Sequence, residues 1–401
     1  MSQQVRRPPD RSAATDGRRR FAAVLCCGLL LAGACRSAGP DRPPDETEVT
    51  PSWQELALAA PAGPPGRLVL RDAVACGGRW YAVGGVATDA GETRPAAWTS
   101  TDGRQWTALT FSAHSYYGPQ NVLYSAACRD GRLATVGARS GGAHANPRVS
   151  TWWQRDDTTL VEARAPFERF GGPQAVNVAR VAAGPAGWII AGNRMSGAAT
   201  WISTDAVSFD LVERAPELAS DDGGDTWAFD AVASATGWLI VGGLIRPGHS
   251  DRDPALWTSV DGRRWTRDAL PATAEYDEMQ RVARVDGALV AVGPRGTTFG
   301  AWRDDGTGWA AAGRFGQLAG GIPAVPGLTA ANGTVVAAVT NGAVHTLWRS
   351  ADAGRSWRPV AGPVAMPAGA ERAVATAADG TTLLLVVDDG ASARIWRADN
   401  W

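Results

Sequence analysis

The chain has 401 residues, enough for one large domain or two ordinary ones. With 45% apolar residues, 20% charged residues and a mean hydropathy of −0.16, it fits a folded soluble domain and excludes a disordered chain or a multi-span membrane protein. All 39 cations are Arg, which excludes lysine Schiff-base chemistry, and 40 acids bring the net charge to −1.

Arg18, Arg19 and Arg20 precede an apolar run from Phe21 to Leu31. That run is too short to span a bilayer but suits the h-region of a signal peptide. The segment Leu31-Ala32-Gly33-Ala34-Cys35 resembles the lipobox of bacterial lipoproteins, with Ala32 where such proteins usually carry Leu. The resemblance implies a signal peptide over residues 1–34 and a lipid on Cys35; the simpler alternative is a plain secretory signal cleaved near Ala34. Arg18-Arg19-Arg20-Phe21 also partly resembles a twin-arginine signal, so the export route stays open. Residues 35–51 are rich in Pro, Asp and Glu, cannot bury a core, and are expected to be a disordered tether. The expected location is therefore the outer face of the cell membrane, with the lipid as the membrane contact.

Loss of residues 1–34 would leave a net charge of −5, a poor match for nucleic acid, whose binding depends on basic residues neutralising phosphates. Cys26 and Cys27 would leave with the signal. Cys76 and Cys128 remain, at matching places on neighbouring innermost strands, either as a disulfide or as two buried thiols.

From residue 52 to 401 the sequence repeats. A strand Trp recurs at 98, 152, 201, 257, 302, 348 and 396, at intervals of 54, 49, 56, 45, 46 and 48 residues. Ahead of each lies an apolar run such as Trp80–Gly84, Trp188–Gly192 or Leu383–Val387, as expected for a strand covered on both faces. With an innermost strand before each run and an outer one after each turn, every unit is a four-stranded antiparallel blade. Seven units of this period predict an all-β, seven-bladed β-propeller. The last unit lacks an outer strand, and Trp53–Leu58 is expected to supply it, closing the ring and removing a free edge.

Four units carry a polar turn after the strand Trp: Ser100, Asp102 and Trp106; Ser203, Asp205 and Phe209; Ser259, Asp261 and Trp265; and Ser350, Asp352, Gly354 and Trp357. The Asp and Ser oxygens can bind turn amides, Gly supplies a positive φ, and the aromatic ring packs back onto the blade. These turns resemble the Asp-box of sialidase-type (BNR) β-propellers. In that family the motif lies far from the catalytic centre, so its Asp residues are expected to be structural.

Propeller geometry puts these turns on one rim and the second-to-third-strand and blade-to-blade loops on the opposite face, where recognition residues most often sit. All four His are placed there, His144, His249 and His345 in second-to-third-strand loops and His114 in the first blade-to-blade loop, along with Tyr116, Tyr117, Tyr124 and Tyr276. The candidates for a binding face are His114, Tyr116, Tyr117, His144, Arg246, His249, Tyr276 and Trp227. The bland alternative is that Tyr and His simply prefer loops to tightly packed blades. An acidic segment, Ser220–Trp227, falls out of phase with the repeat, and its Asp221, Asp222 and Asp225 offer hard oxygens for a calcium ion.

Three functions follow from this pattern. The first is a monomeric, membrane-tethered binding module for a protein or glycan, without catalysis or cofactor. The second, implied by the sialidase resemblance, is a glycoside hydrolase in which Tyr276 and Glu278 act as nucleophile and base, with substrate-gripping arginines drawn from Arg148, Arg194, Arg246, Arg281 and Arg295; the Arg-Ile-Pro segment of that family is missing. The third is an assembly factor for a membrane complex. No HExxH spacing or Gly-x-Ser-x-Gly elbow occurs.

Overall fold

The computed structural model describes residues 47–141, 147–271 and 273–401. The expected signal segment, Cys35, most of the tether and His144 lie outside the described residues.

Seven sheets follow one another along the chain, each built on an antiparallel meander of consecutive strands. The first blade runs through Arg67–Cys76, Arg79–Ala87, Thr93–Ser100 and Thr107–Ala108. Its second strand is buried along nearly its whole length, and in later blades Gly187–Arg194, Thr334–Thr340 and Thr382–Asp388 are buried throughout. Both faces are covered because each blade packs between two neighbours. All seven strand Trp residues lie on third strands. Trp98, Trp152, Trp201 and Trp257 are fully buried; each hides roughly 200 Å², worth about 5 kcal/mol. Indole N–H groups also tie blades to linkers: Trp98 donates to the Ala59 carbonyl at 2.7 Å and Trp257 to that of Glu217 at 2.8 Å.

The ring closes as expected. Gln54–Leu56 pairs antiparallel with Ala393–Asp399, placing Leu56 opposite Ile395. The chain joins the propeller earlier, at Val49, two residues inside the expected tether. Its N–H donates to the Pro359 carbonyl and its carbonyl accepts from Ala361 N–H. The N-terminal segment therefore clasps blade 6 as well as blade 7.

One blade departs from the four-stranded expectation. Thr110–Ser112, in the connection leaving blade 1, adds in parallel to Thr159–Glu162, the outer strand of blade 2. The edge of that blade is thereby covered.

The four polar turns share one hydrogen-bond pattern. Ser100 Oγ donates to Asp102 at 3.0 Å and accepts from Gly103 N–H at 2.9 Å, while Asp102 accepts from Arg104 and Gln105 N–H at 2.8 Å each. The turns at Ser203, Ser259 and Ser350 repeat it. Backbone N–H groups of Arg264 and Arg263 hold Asp261 down at about 2.

Innermost strands bulge one residue after Leu70, Leu123 and Ala228. Gly84 and Gly242 sit opposite the bulges because a Cβ there would run into the carbonyls of Val69 and Trp227. The residue after each bulge locks the next blade. Asp72 accepts from Ala126 N–H at 2.9 Å, Ser125 from Val181 N–H at 3.0 Å and Asp230 from Val282 N–H at 3.1 Å. Asp388 joins the last blade to the first through Arg67 at 2.9 Å and Arg71 at 2.6 Å. Cys76 and Cys128 are joined as a disulfide between blades 1 and 2, with Cα atoms 5.9 Å apart.

Candidate ligand-binding site on the loop face

The first blade-to-blade loop, the start of the third strand of blade 2 and the second blade-to-blade loop enclose a cavity of about 530 Å³. Glu162, at the end of an outer strand, organises it. Its carboxylate is buried and accepts from His114 N–H (2.7 Å), Ser115 N–H (2.8 Å), Ser115 Oγ (2.6 Å) and Ser150 Oγ (2.7 Å). Burial pushes this carboxyl up, but the donors of Ser115, Ser150 and His114 outweigh it and leave Glu162 below its ordinary value. With four donors on two oxygens, Glu162 is a structural hub and is not poised to accept a substrate proton. Gly118 packs so closely on it that a Cβ would collide with the carboxylate.

The floor is apolar. Phe170, in the helical turn Phe167–Phe170, is buried with its ring 5.9 Å from that of Trp201. Over it lies Arg148, whose guanidinium stacks on Phe167 at 4.6 Å and on Tyr117 at 5.7 Å. Among the described residues Arg148 has no carboxylate within 4.0 Å, and its Nε is buried without a hydrogen-bond partner. Arg164 is exposed at the rim, 3.4 Å from His114 Nδ1. Tyr116 (80% exposed) and Phe167 (53%) stand beside the opening.

A second cluster lies between blades 4 and 5. Arg252 Nη1 donates to Tyr276 Oη at 3.1 Å and to Glu278 at 3.0 Å, and its guanidinium stacks on Trp227 at 5.2 Å. Tyr276 and Glu278 are thus brought together. Burial, then the Glu278 charge, pushes the Tyr276 phenol up to about 12. The other Glu278 oxygen accepts from Gln280 at 2.5 Å.

The remaining candidates fall apart from these clusters. Arg246 is bound to Asp253 at 2.8 Å, and His249 is exposed on the same loop. Asp221 pairs with Arg267 at 2.9 Å, which occupies the carboxylate a calcium ion would need, and Asp222 and Asp225 are exposed. No group of three acidic, His or Cys residues able to hold a metal occurs among the described residues. Of the five arginines singled out from sequence, Arg194 is held by Glu213 at 2.9 Å and Arg295 lies 3.9 Å from Asp277. Arg281 is drawn down to about 10 by burial and by neighbouring Arg180.

Two loop placements are corrected. His345 is buried at the start of the third strand of blade 6, where its N–H donates to the Met366 carbonyl and burial pulls the imidazole down. Tyr124 belongs to the innermost strand of blade 2, and its hydroxyl donates to the Val178 carbonyl at 2.6 Å across the blade junction. In each case the strand extends further into the expected loop. Sequence reasoning missed Glu162, Arg164, Phe167 and Arg252; the one available signal was Phe167, one of two aromatics with Phe170 in a blade-to-blade connection.

No protein-family model matches the chain. No curated protein matches it either. Among solved structures it is similar to the β-propeller domain of the Trilobed protease from Pyrococcus furiosus, at 10% identity and a TM-score of 0.50, covering 84% of this chain and 96% of that one. That domain is described by an open velcro topology, whereas here the N-terminal strand closes the last blade. A puromycin-hydrolyzing peptidase of Mycobacterium tuberculosis aligns at 11% identity and a TM-score of 0.51, over 86% of this chain and 54% of that one. A neuraminidase-like protein (A/flat-faced bat/Peru) aligns at 9% identity and a TM-score of 0.44, over 70% and 87%. Likeness at these identities shows the fold alone: this chain is an all-β, seven-bladed propeller.

Proposed function

We propose that the protein is a lipid-anchored, extracytoplasmic binding module that seats its ligand in the blade 2 cavity. The observation that carries this reading is Arg148, a guanidinium stacked on two aromatic rings in an open cavity and left without a carboxylate partner among the described residues. Pockets of about 300–1,000 Å³ with a few convergent polar groups are the usual form of a ligand site. The anchor rests on Leu31–Cys35, and the Ser-x-Asp turns support a BNR-type relationship as structural clamps. Two measurements test the proposal. Wild-type protein should partition into detergent and its Cys35→Ala variant into the aqueous phase. An array of glycans and peptides should give hits that Arg148→Gln abolishes; hits unaffected by that change would move the site elsewhere.

The meeting of Tyr276 and Glu278 at Arg252 favours a second reading, a sialidase-type hydrolase. Against it, the phenol is raised and both Glu278 oxygens are engaged. Hydrolysis of a fluorogenic sialoside, lost in Tyr276→Phe, would establish it over the binding module.

A further inference from the structure

We infer that the blade 2 cavity receives the C-terminal carboxylate and the last apolar side chain of a polypeptide; the inference rests on the cavity being the ligand site proposed above. Three features select this chemistry. First, the cation is presented for an in-plane acceptor. The guanidinium carbon lies over the rings of Tyr117 and Phe167, and with no carboxylate partner among the described residues its N–H fork is left for a carboxylate, which matches it bidentately. Arg164 at the rim adds a second positive charge on the same side.

Second, the walls around this cation are apolar. Pro147, Val149, Ala163, Ala165, Pro166 and Phe170 line the cavity and would bury an aliphatic or aromatic side chain. Third, three of the polar side chains lining the cavity are already spent on one another. Ser115, Ser150 and Glu162 satisfy one another, and Ser115 Oγ also accepts from Gly118 N–H at 2.9 Å. The acceptors and hydroxyls near the apolar walls are thus taken, and the free polar groups are mainly the cations Arg148 and Arg164. A hydroxyl-rich ring buried against those walls would leave hydroxyls unpaired at a cost, whereas a terminal carboxylate with one apolar side chain needs only the arginine and the walls. The exposed rings of Tyr116 and Phe167 beside the opening can cover the preceding residue.

The test uses the purified full chain and acetylated tetrapeptides Ac-Ala-Ala-Ala-X, with X as Leu, Phe or Val, each prepared as free acid and as amide, plus a glucuronic-acid disaccharide. Binding is measured by saturation-transfer NMR and by competition. At least one free acid is expected to bind, its amide about ten- to a hundredfold more weakly, from loss of the charge-assisted pairing. Arg148→Gln should erase the difference between acid and amide while keeping the melting temperature. The acid–amide comparison is made on unaltered protein, so it stands even if the variant fails to fold. Equal binding of acid and amide overturns the carboxylate. Saturation by the disaccharide without any peptide acid overturns the polypeptide but keeps the cavity as a ligand site. Failure of every probe to bind, with the cavity also silent on the wider array, overturns both.

Discussion

Glu162→Gln is the sharpest test of how the loop face is built. The substitution preserves shape but places an amide where four donors converge. The amide oxygen can still accept from His114 and Ser115 N–H, so those two bonds fall from the charge-assisted to the neutral range, a loss of about 1 kcal/mol each. The new NH2 must then donate to Ser115 Oγ and Ser150 Oγ. Ser115 Oγ already accepts from Gly118 N–H, so its own hydrogen loses its acceptor, at roughly 1 kcal/mol more. Relief of the buried charge offsets part of this, and the expected net destabilisation is about 2 kcal/mol. The pH dependence has a definite sign. Glu162 is held below its ordinary value in the folded state, so its contribution is complete above the unfolded value of about 4.3 and is lost as pH falls through the lower folded value. Urea unfolding followed by tryptophan fluorescence at pH 7 and stepwise below pH 4.5 measures both effects. The variant should be weaker at pH 7 and should lose less stability on acidification. A variant within about 0.5 kcal/mol of wild type at pH 7, with an unchanged acid limb, would refute the role given to Glu162.

Three other outcomes are expected. Reduction of the Cys76–Cys128 bridge, which spans a sequence separation of 52, should cost about 4 kcal/mol on the chain-entropy account; equal unfolding midpoints with and without reductant would contradict it. Deleting residues 47–58 removes the strand paired with Ala393–Asp399 and the buried contacts of Trp53 and Leu56, so the protein should melt lower and self-associate through the freed edge on size exclusion. A monomer melting within about 2 °C of wild type would show that the clasp is dispensable. Asp352→Ala strips acceptors from Ser350 Oγ, Ser356 N–H and Ser356 Oγ and should cost about 1–3 kcal/mol without changing ligand binding, since the turn lies on the opposite rim; altered binding would place function there.

Much of the fold was legible because it is periodic. The strand Trp spacing gave seven units, and the Gly closing five of the seven apolar runs marked a steric need that the bulges at Leu70 and Ala228 explain at Gly84 and Gly242. The Ser-x-Asp turns were legible because every partner lies within a few residues. The fifth strand of blade 2 was not, because Thr110–Ser112 is short and acquires its partner 49 residues away. Nor were the locks at Asp72, Ser125 and Asp230, whose polar character inside apolar strands becomes intelligible only when the neighbouring blade supplies an N–H.

The candidate site was half visible. His114 and Tyr117 line the proposed cavity, and Tyr276 and Glu278 do meet, but through Arg252, which no local pattern singles out. Composition, period and turn chemistry determined the propeller, its blade count and its closure, since these depend on contacts within or between successive repeats. Only the tertiary structure decided which arginine is available. Arg194, Arg246 and Arg148 look alike as residues in loops. Glu213 and Asp253 neutralise the first two, while Arg148 meets aromatic rings from two separate connections. The choice between a spent cation and a free one is set by whichever side chains the fold brings within about 4 Å, the range over which a carboxylate pairs with it.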